Sequence, residues 1–107
     1  MSAIGETLAR LAGVIETRRG ADPGSSWSAK LLANRSLAAK KLAEEAIEVA
    51  LAAVQEDRTG VVAESADLIY HWLVVLATAG VSLDEVAEAL EKREGTSGLA
   101  EKASRET

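Results

Sequence analysis

The stretch AEEAIEVALAAVQEDRTGVVAESADLIYH, residues 43–71, decides the fold, because two long apolar runs flank a short polar turn. Apolar residues recur at helical spacing on both sides of that turn. Each run nevertheless carries two acids three residues apart, Glu45 with Glu48 and Glu64 with Asp67. The stretch therefore predicts two packed helices with carboxylates at positions where a helix core normally places apolar side chains.

The rest of the chain is also helical in pattern. Residues 3–18 form an amphipathic repeat, and RRGADPGSSW then breaks the periodicity as the main loop. The segment SWSAKLLANRS predicts a short helical turn, with Ser28 or Ser36 as candidate N-caps. The other predicted elements are a helix from Ser36 to about Asp57, a turn at DRTG, a helix from Val61 to Ala79 stopped by Gly80, and a last helix from a Ser82/Glu85 capping box to about Glu94.

These elements predict an all-α fold with four main helices, a four-helix bundle. A chain of 107 residues is the size of one domain, to which we assign residues 1–94. Residues 95–107 have little apolar content and are predicted to be a mobile tail.

Composition excludes several classes of function. The net charge of −5 lacks the basic surface that nucleic-acid binding needs. No cysteine is present, so disulfides, thiolate metal sites and cysteine nucleophiles are excluded. No signal-peptide pattern and no run of about 18 uncharged apolar residues is found, and we expect a cytoplasmic protein without a membrane segment.

The acids occupy narrow stripes on otherwise apolar helices. At about 100° per residue, Lys41, Glu44, Glu45 and Glu48 share a sector of roughly 100°, and Glu64, Asp67 and His71 share a sector of roughly 60°. A solvated helix face is the ordinary explanation of paired acids, but apolar residues cover most other directions of both helices. Clustered carboxylates repel one another unless a cation offsets their charge.

An all-oxygen donor set favours Mg²⁺, with Mn²⁺ as the alternative cation. Magnesium sites usually share their coordination with substrate phosphates, so a nucleoside di- or triphosphate is the expected substrate and water the expected nucleophile. One point opposes a simple hairpin. Measured from residue 58, the first acidic pair lies about 12 residues back along the chain and the second about 7 forward. In a simple hairpin the two pairs would then differ in height by about 7 Å along the helix axes, unless Thr59 and Gly60 are extended.

Two acidic motifs, EEAIE and ESADLIYH, resemble the signature of the all-α nucleotide pyrophosphohydrolases, which include the MazG-like enzymes. More narrowly, SWSAKLL, KKLAEEAIEVALAA, ESADLIYHWLVVLA and GVSLDEVAEALEKR resemble successive blocks of the phosphoribosyl-ATP pyrophosphohydrolase family of histidine biosynthesis. The resemblance covers roughly residues 4–94. It implies Mg²⁺-dependent hydrolysis of 1-(5-phosphoribosyl)-ATP to phosphoribosyl-AMP and pyrophosphate, and an interlocked homodimer.

The resemblance also implies roles for individual residues. Glu45, Glu48, Glu64 and Asp67 match the metal ligands, and Glu44 matches an acid that positions or deprotonates the water. Lys30 and Lys41 match basic positions suited to phosphate. Mild departures are Trp27 for the usual tyrosine, Ser28 for threonine and Ala43 for glycine; the first two lie where they would alter substrate packing.

Structural alternatives exist for the flanking residues. Trp27, beside Ser28, would stack on adenine or anchor its loop to the core. Lys41 would bind phosphate or pair with a neighbouring acid. His71 would contact substrate or pack as an ordinary histidine, and Tyr70 is more typical of a core or interface residue.

Two other functions fit part of the pattern. A general nucleoside triphosphate pyrophosphohydrolase would share the metal site and differ in the loop from Asp22 to Lys30. A non-catalytic helical dimerisation module would bind cations for stability only, but gives no reason for acids spaced at three on both helices. A dimer is expected for all three functions, because the two central helices have more apolar surface than four helices readily cover.

Overall fold

A computed structural model describes residues 3–95 and 98–106. Within these residues the chain forms helices and no strands, as the all-α prediction requires. The elements in chain order are α1 (Ala3–Thr17), α2 (Trp27–Leu32), α3 (Arg35–Val54), α4 (Arg58–Ala79), α5 (Leu83–Lys92) and α6 (Gly98–Glu106).

The hairpin of α3 and α4 is the centre of the molecule, and α1 and α2 pack against it. The core lies where α1, α2 and α4 meet the first turns of α3, and its largest fully buried side chains are Ile15, Leu31 and Val74. Burial of apolar area at this junction supplies the main driving force for packing. The acids of the α3–α4 hairpin are not members of this core cluster.

Local capping fixes where the helices begin, and two predicted caps were wrong. Ser26, rather than Ser28, caps α2 by accepting a hydrogen bond from the Ala29 amide at 3.1 Å. Asn34, rather than Ser36, caps α3 by accepting from the Leu37 amide at 3.1 Å. Both caps place a short polar side chain immediately before the helix, where it satisfies a free N–H.

The end of the molecule formed by α4 and α5 follows the prediction. Gly80 takes the left-handed conformation that ends α4, with φ of 71°. Ser82 and Glu85 form the predicted capping box of α5. The predicted tail contains α6, a helix that its low apolar content did not suggest. Residues 96, 97 and 107 of the tail lie outside the described residues. The domain boundary at residue 94 and the mobility of the tail stay predictions.

Helix α4 is the one helix in the described part of the chain that is long and apolar enough to cross a membrane by length and composition. It also carries Glu64 and Asp67 and packs against α1, α2 and α3. Core helices pass the same test, so this property alone does not indicate a membrane protein.

Candidate metal and substrate site

The turn between α3 and α4 sets the register of the acids. It spans residues 55–57 rather than DRTG, and Thr59 and Gly60 belong to α4. The extended Thr59–Gly60 segment that the sequence offered as one way to remove the offset is therefore not formed. A Schellman pattern closes α3, in which the Asp57 amide donates to the Ala52 carbonyl at 3.0 Å and the Glu56 amide to the Ala53 carbonyl at 3.1 Å.

Glu56 is the centre of this turn and has φ of 56°. Glu48 lies eight residues before it and Glu64 eight residues after it, about 12 Å along each helix. Glu45 and Asp67 lie eleven residues from it on either side. The offset expected from a turn at residue 58 therefore disappears, and the two acidic pairs face each other at matched heights.

Three of the predicted ligands come together in the structure. Glu45, Glu64 and Asp67 each offer a carboxylate oxygen, and these oxygens lie within 4.8 Å of one another. Glu45 and Glu64 are partly buried and Asp67 is exposed. Three converging carboxylates form a donor set suited to a hard divalent cation, so the residues present fit a metal site.

Electrostatic repulsion in this cluster shifts the pKa of Glu64. Its pKa is raised above the usual 4.5, first by partial burial and then by the negative charges of Glu45 and Asp67. A hydrogen bond with Glu45 and the charge of Glu48 raise the pKa of Glu64 further. A bound cation would reverse this balance, because it favours the ionised carboxylate.

Glu48 lies beside the cluster rather than within it. It lines a cavity of about 200 Å³ together with Glu64, Gln55 and the N-terminal turn of α4. A larger cavity of about 380 Å³ lies at the other end of α4, between α1 and the start of α5, and its lining is mainly apolar. We place the site beside the smaller cavity, since of these two cavities it is the one lined by a member of the cluster, Glu64.

The structure pairs Glu44 with Lys41 rather than with the other acids. Lys41 Nζ donates to Glu44 Oε2 at 3.1 Å, and both side chains are partly buried. This is the ion pair that the sequence allowed as the alternative to phosphate binding by Lys41. The predicted roles of Lys41 toward phosphate and Glu44 toward water stay predictions.

His71 is the one buried polar side chain of the described core and is 7% exposed. Its Nδ1 bonds the Asp67 carbonyl oxygen at 2.8 Å, and since a carbonyl can only accept, Nδ1 carries a hydrogen. Its Nε2 is buried and has no hydrogen-bond partner among the described residues. His71 thus supports the backbone of a candidate ligand, and its predicted contact with substrate stays a prediction.

The predicted substrate residues of α2 are Trp27, Ser28 and Lys30. Trp27 is 45% exposed, and Lys30 Nζ lies 5.6 Å from the centroid of its ring, within cation–π range. Ser28 is partly buried, and its hydroxyl is hydrogen-bonded to that of Tyr70 on α4. Tyr70 was not among the predicted site residues; its partner is 42 residues away, and no local pattern marks such a pair.

Comparisons with known proteins identify the family of the chain. The model of the family described as phosphoribosyl-ATP pyrophosphohydrolase matches residues 8–94. A protein of Caulobacter vibrioides named phosphoribosyl-ATP pyrophosphatase is 61% identical over 94% of each chain.

Proteins of the same name are similar in two further organisms. The protein of Parvibaculum lavamentivorans is 55% identical over 98% of this chain and 97% of its own. That of Rhodobacter capsulatus is 54% identical over 92% of this chain and 96% of its own. The chain belongs to the phosphoribosyl-ATP pyrophosphohydrolase family.

Proposed function

We propose that this protein hydrolyses 1-(5-phosphoribosyl)-ATP to phosphoribosyl-AMP and pyrophosphate, a step of histidine biosynthesis. The observation that carries the proposal is the convergence of Glu45, Glu64 and Asp67 on one point, in a chain of this family. The reaction adds water across the anhydride between the α and β phosphates. Its substrate carries several negative charges, so a carboxylate site needs a cation to accept it.

Magnesium is the proposed cation, with Mn²⁺ as the alternative. Glu45, Glu64 and Asp67 would hold it, with Glu48 at the edge of the same cavity. When bound, Mg²⁺ supplies positive charge that offsets the phosphates and makes a coordinated water more acidic. The raised pKa of Glu64 supports this assignment, because repulsion of this kind is relieved by a cation.

The remaining side chains act on the attacking water or bind the substrate. Glu44 orients or deprotonates the attacking water, and Lys41, its ion-pair partner, exchanges that contact for a substrate phosphate. On α2, Trp27 offers an aromatic face for adenine and Lys30 a charge for phosphate. His71 holds the Asp67 turn of α4 from one turn beyond it, and is proposed to contact the substrate from there.

The functional unit is proposed to be a homodimer. The outer face of α3 exposes Ile47 by 60%, Leu51 by 50% and Val54 by 82%, at spacings of four and three that align them on one side. Only 17% of the most apolar window of α4 is buried within one chain. A second copy would cover these apolar faces, as expected of an exposed stripe of this kind. We further propose a cytoplasmic location and no nucleic-acid partner, in keeping with the acidic charge.

The direct test is release of pyrophosphate from phosphoribosyl-ATP by the purified protein with Mg²⁺. Turnover should need the metal and fall by about a hundredfold or more in Glu48→Gln, the loss typical of a removed catalytic charge. ATP and deoxynucleoside triphosphates serve as competing substrates. No turnover, turnover unaffected by Glu48→Gln, or equal turnover of ordinary triphosphates would contradict the proposal, the last outcome indicating a general pyrophosphohydrolase.

A further inference from the structure

Helix α2 is short and depends on its neighbours for its position. It has six residues and follows the long loop that starts after α1. Ala29 and Leu31 on its inner face are buried in the core, whereas Trp27 and Lys30 face outward. Isolated helices of this length are not stable in water, so tertiary contacts must hold α2 in place.

One directional contact fixes the orientation of α2 on α4. The hydroxyls of Ser28 and Tyr70 are hydrogen-bonded in a partly buried setting. Apolar packing of Ala29 and Leu31 favours burial but is non-directional, and tolerates small rotations and shifts. A hydrogen bond restricts both distance and angle. The Ser28–Tyr70 pair therefore sets where the outer face of α2 points.

Tyr70 is itself held next to the acidic cluster. Its ring meets the ring of His71 edge to face, with centroids 4.9 Å apart and planes at 84°. His71 in turn bonds the backbone of Asp67. A continuous set of contacts thus runs from the Trp27–Lys30 pair through Ser28, Tyr70 and His71 to a candidate metal ligand.

We propose that Tyr70 is a positioning residue, which through the Ser28 hydroxyl holds the Trp27–Lys30 pair at a fixed place relative to the acids. The proposal rests on the proposed function, since it assigns that pair to the nucleotide substrate. Tyr70 contacts no reacting atom. Its loss weakens substrate binding in the ground state and in the transition state alike.

The kinetic test uses Tyr70→Phe, which keeps the ring and removes the hydroxyl. The KM for phosphoribosyl-ATP should rise about three- to tenfold, the range for one hydrogen bond, with kcat within about twofold of wild type. Ser28→Ala should raise KM by the same factor, and the double variant should raise KM no further than either single variant. Ser36→Ala, which removes an exposed hydroxyl from α3, is the matched control.

A second readout requires no activity. In a Trp72→Phe background Trp27 is the one remaining tryptophan of the sequence. Tyr70→Phe should increase acrylamide quenching of Trp27 and lower its fluorescence anisotropy, whereas Ser36→Ala should change neither.

Failure of the two proposals can be told apart. A wild type without phosphoribosyl-ATP hydrolysis contradicts the proposed function, and the quenching result then still decides whether Tyr70 positions α2. Unchanged KM in Tyr70→Phe of an active enzyme, or unchanged quenching, overturns the positioning role. A fall in kcat with constant KM also overturns it, because that pattern belongs to a group acting in the transition state.

Discussion

Glu64 carries the clearest residue-level sign of the site. Partial burial and the charges of Glu45, Asp67 and Glu48 raise its pKa, so in metal-free protein the folded state favours its protonated form. This contribution to stability is present below about pH 4.5, the ordinary value, and is lost as pH rises through the raised folded-state pKa.

Glu64→Gln should therefore raise the melting temperature of metal-free protein at pH 7, and its advantage should vanish near pH 4. Millimolar Mg²⁺ should stabilise wild type and have less effect on the variant, because binding to the folded state adds stability. Thermal melts in EDTA and in Mg²⁺ across this pH range measure both effects, with Glu91→Gln as the exposed control. A lower melting temperature for Glu64→Gln at pH 7 in EDTA would count against the interpretation.

Lys41 distinguishes a phosphate ligand from a structural ion pair. If it exchanges Glu44 for phosphate, Lys41→Ala should raise KM for phosphoribosyl-ATP by about tenfold or more, equal to about 1.4 kcal/mol. A partly exposed i,i+3 pair alone is worth about 0.5 kcal/mol, so the same variant should barely change the melting temperature. Steady-state kinetics and melts of Lys41→Ala provide the comparison. Reduced stability with unchanged KM would leave Lys41 a structural partner.

The identities of the acids were predictable from single residues, because charge at positions surrounded by apolar side chains is unusual. The interaction partners of these acids were less predictable. The sequence left Lys41 as a phosphate ligand or as the partner of a neighbouring acid, and the structure pairs it with Glu44 by an i,i+3 contact. Both arrangements satisfy the same helical stripe, and side-chain geometry decides between them.

At the scale of elements, the α3–α4 turn is the feature that sequence reasoning misplaced. Thr59 and Gly60 look like turn residues, but they form the first turn of α4 under the Asp57 cap. The true turn places Glu56, a residue with a Cβ, in the left-handed conformation. Non-glycine residues rarely take this conformation, so the sequence gives little sign of it.

Glu56→Gly should stabilise the protein. Left-handed backbone costs a residue with a Cβ about 1–2 kcal/mol, and glycine removes this cost. The greater conformational freedom of glycine in the unfolded chain offsets about 0.4–1 kcal/mol of the gain. We expect a net gain of about 0.5–1 kcal/mol in the free energy of unfolding, measured by urea denaturation. Gly80→Ala, at the equivalent position after α4, is the reciprocal control and should destabilise. A destabilised Glu56→Gly would contradict the assigned turn.

At the scale of the whole molecule, the fold class and the central hairpin followed from periodicity and composition. The contacts between elements could not be predicted in this way. The Ser28–Tyr70 hydrogen bond, for example, joins positions with no shared local pattern. The apolar outer face of α3 was predictable as excess apolar surface, and one chain leaves it exposed.

Ile47→Lys should shift the protein from dimer to monomer. The charge would enter the proposed interface, where its desolvation has no compensating partner. Leu90→Lys is the matched control, since Leu90 on α5 is 57% exposed against 60% for Ile47 and lies outside the proposed interface. Sedimentation equilibrium at micromolar concentration should show a dimer for wild type and Leu90→Lys. A monomeric wild type would refute the dimer.

The central claim is that Glu45, Glu64 and Asp67 hold the cation on which hydrolysis depends, and metal binding tests it most directly. Mn²⁺ titration followed by electron paramagnetic resonance, with and without pyrophosphate, should show saturable binding that Mg²⁺ displaces. Affinity should fall at least about tenfold, or about 1.4 kcal/mol, in Glu45→Gln, Glu64→Gln and Asp67→Asn, and remain at the wild-type value in Glu91→Gln. Equal Mn²⁺ affinity in all four variants and wild type would contradict the account.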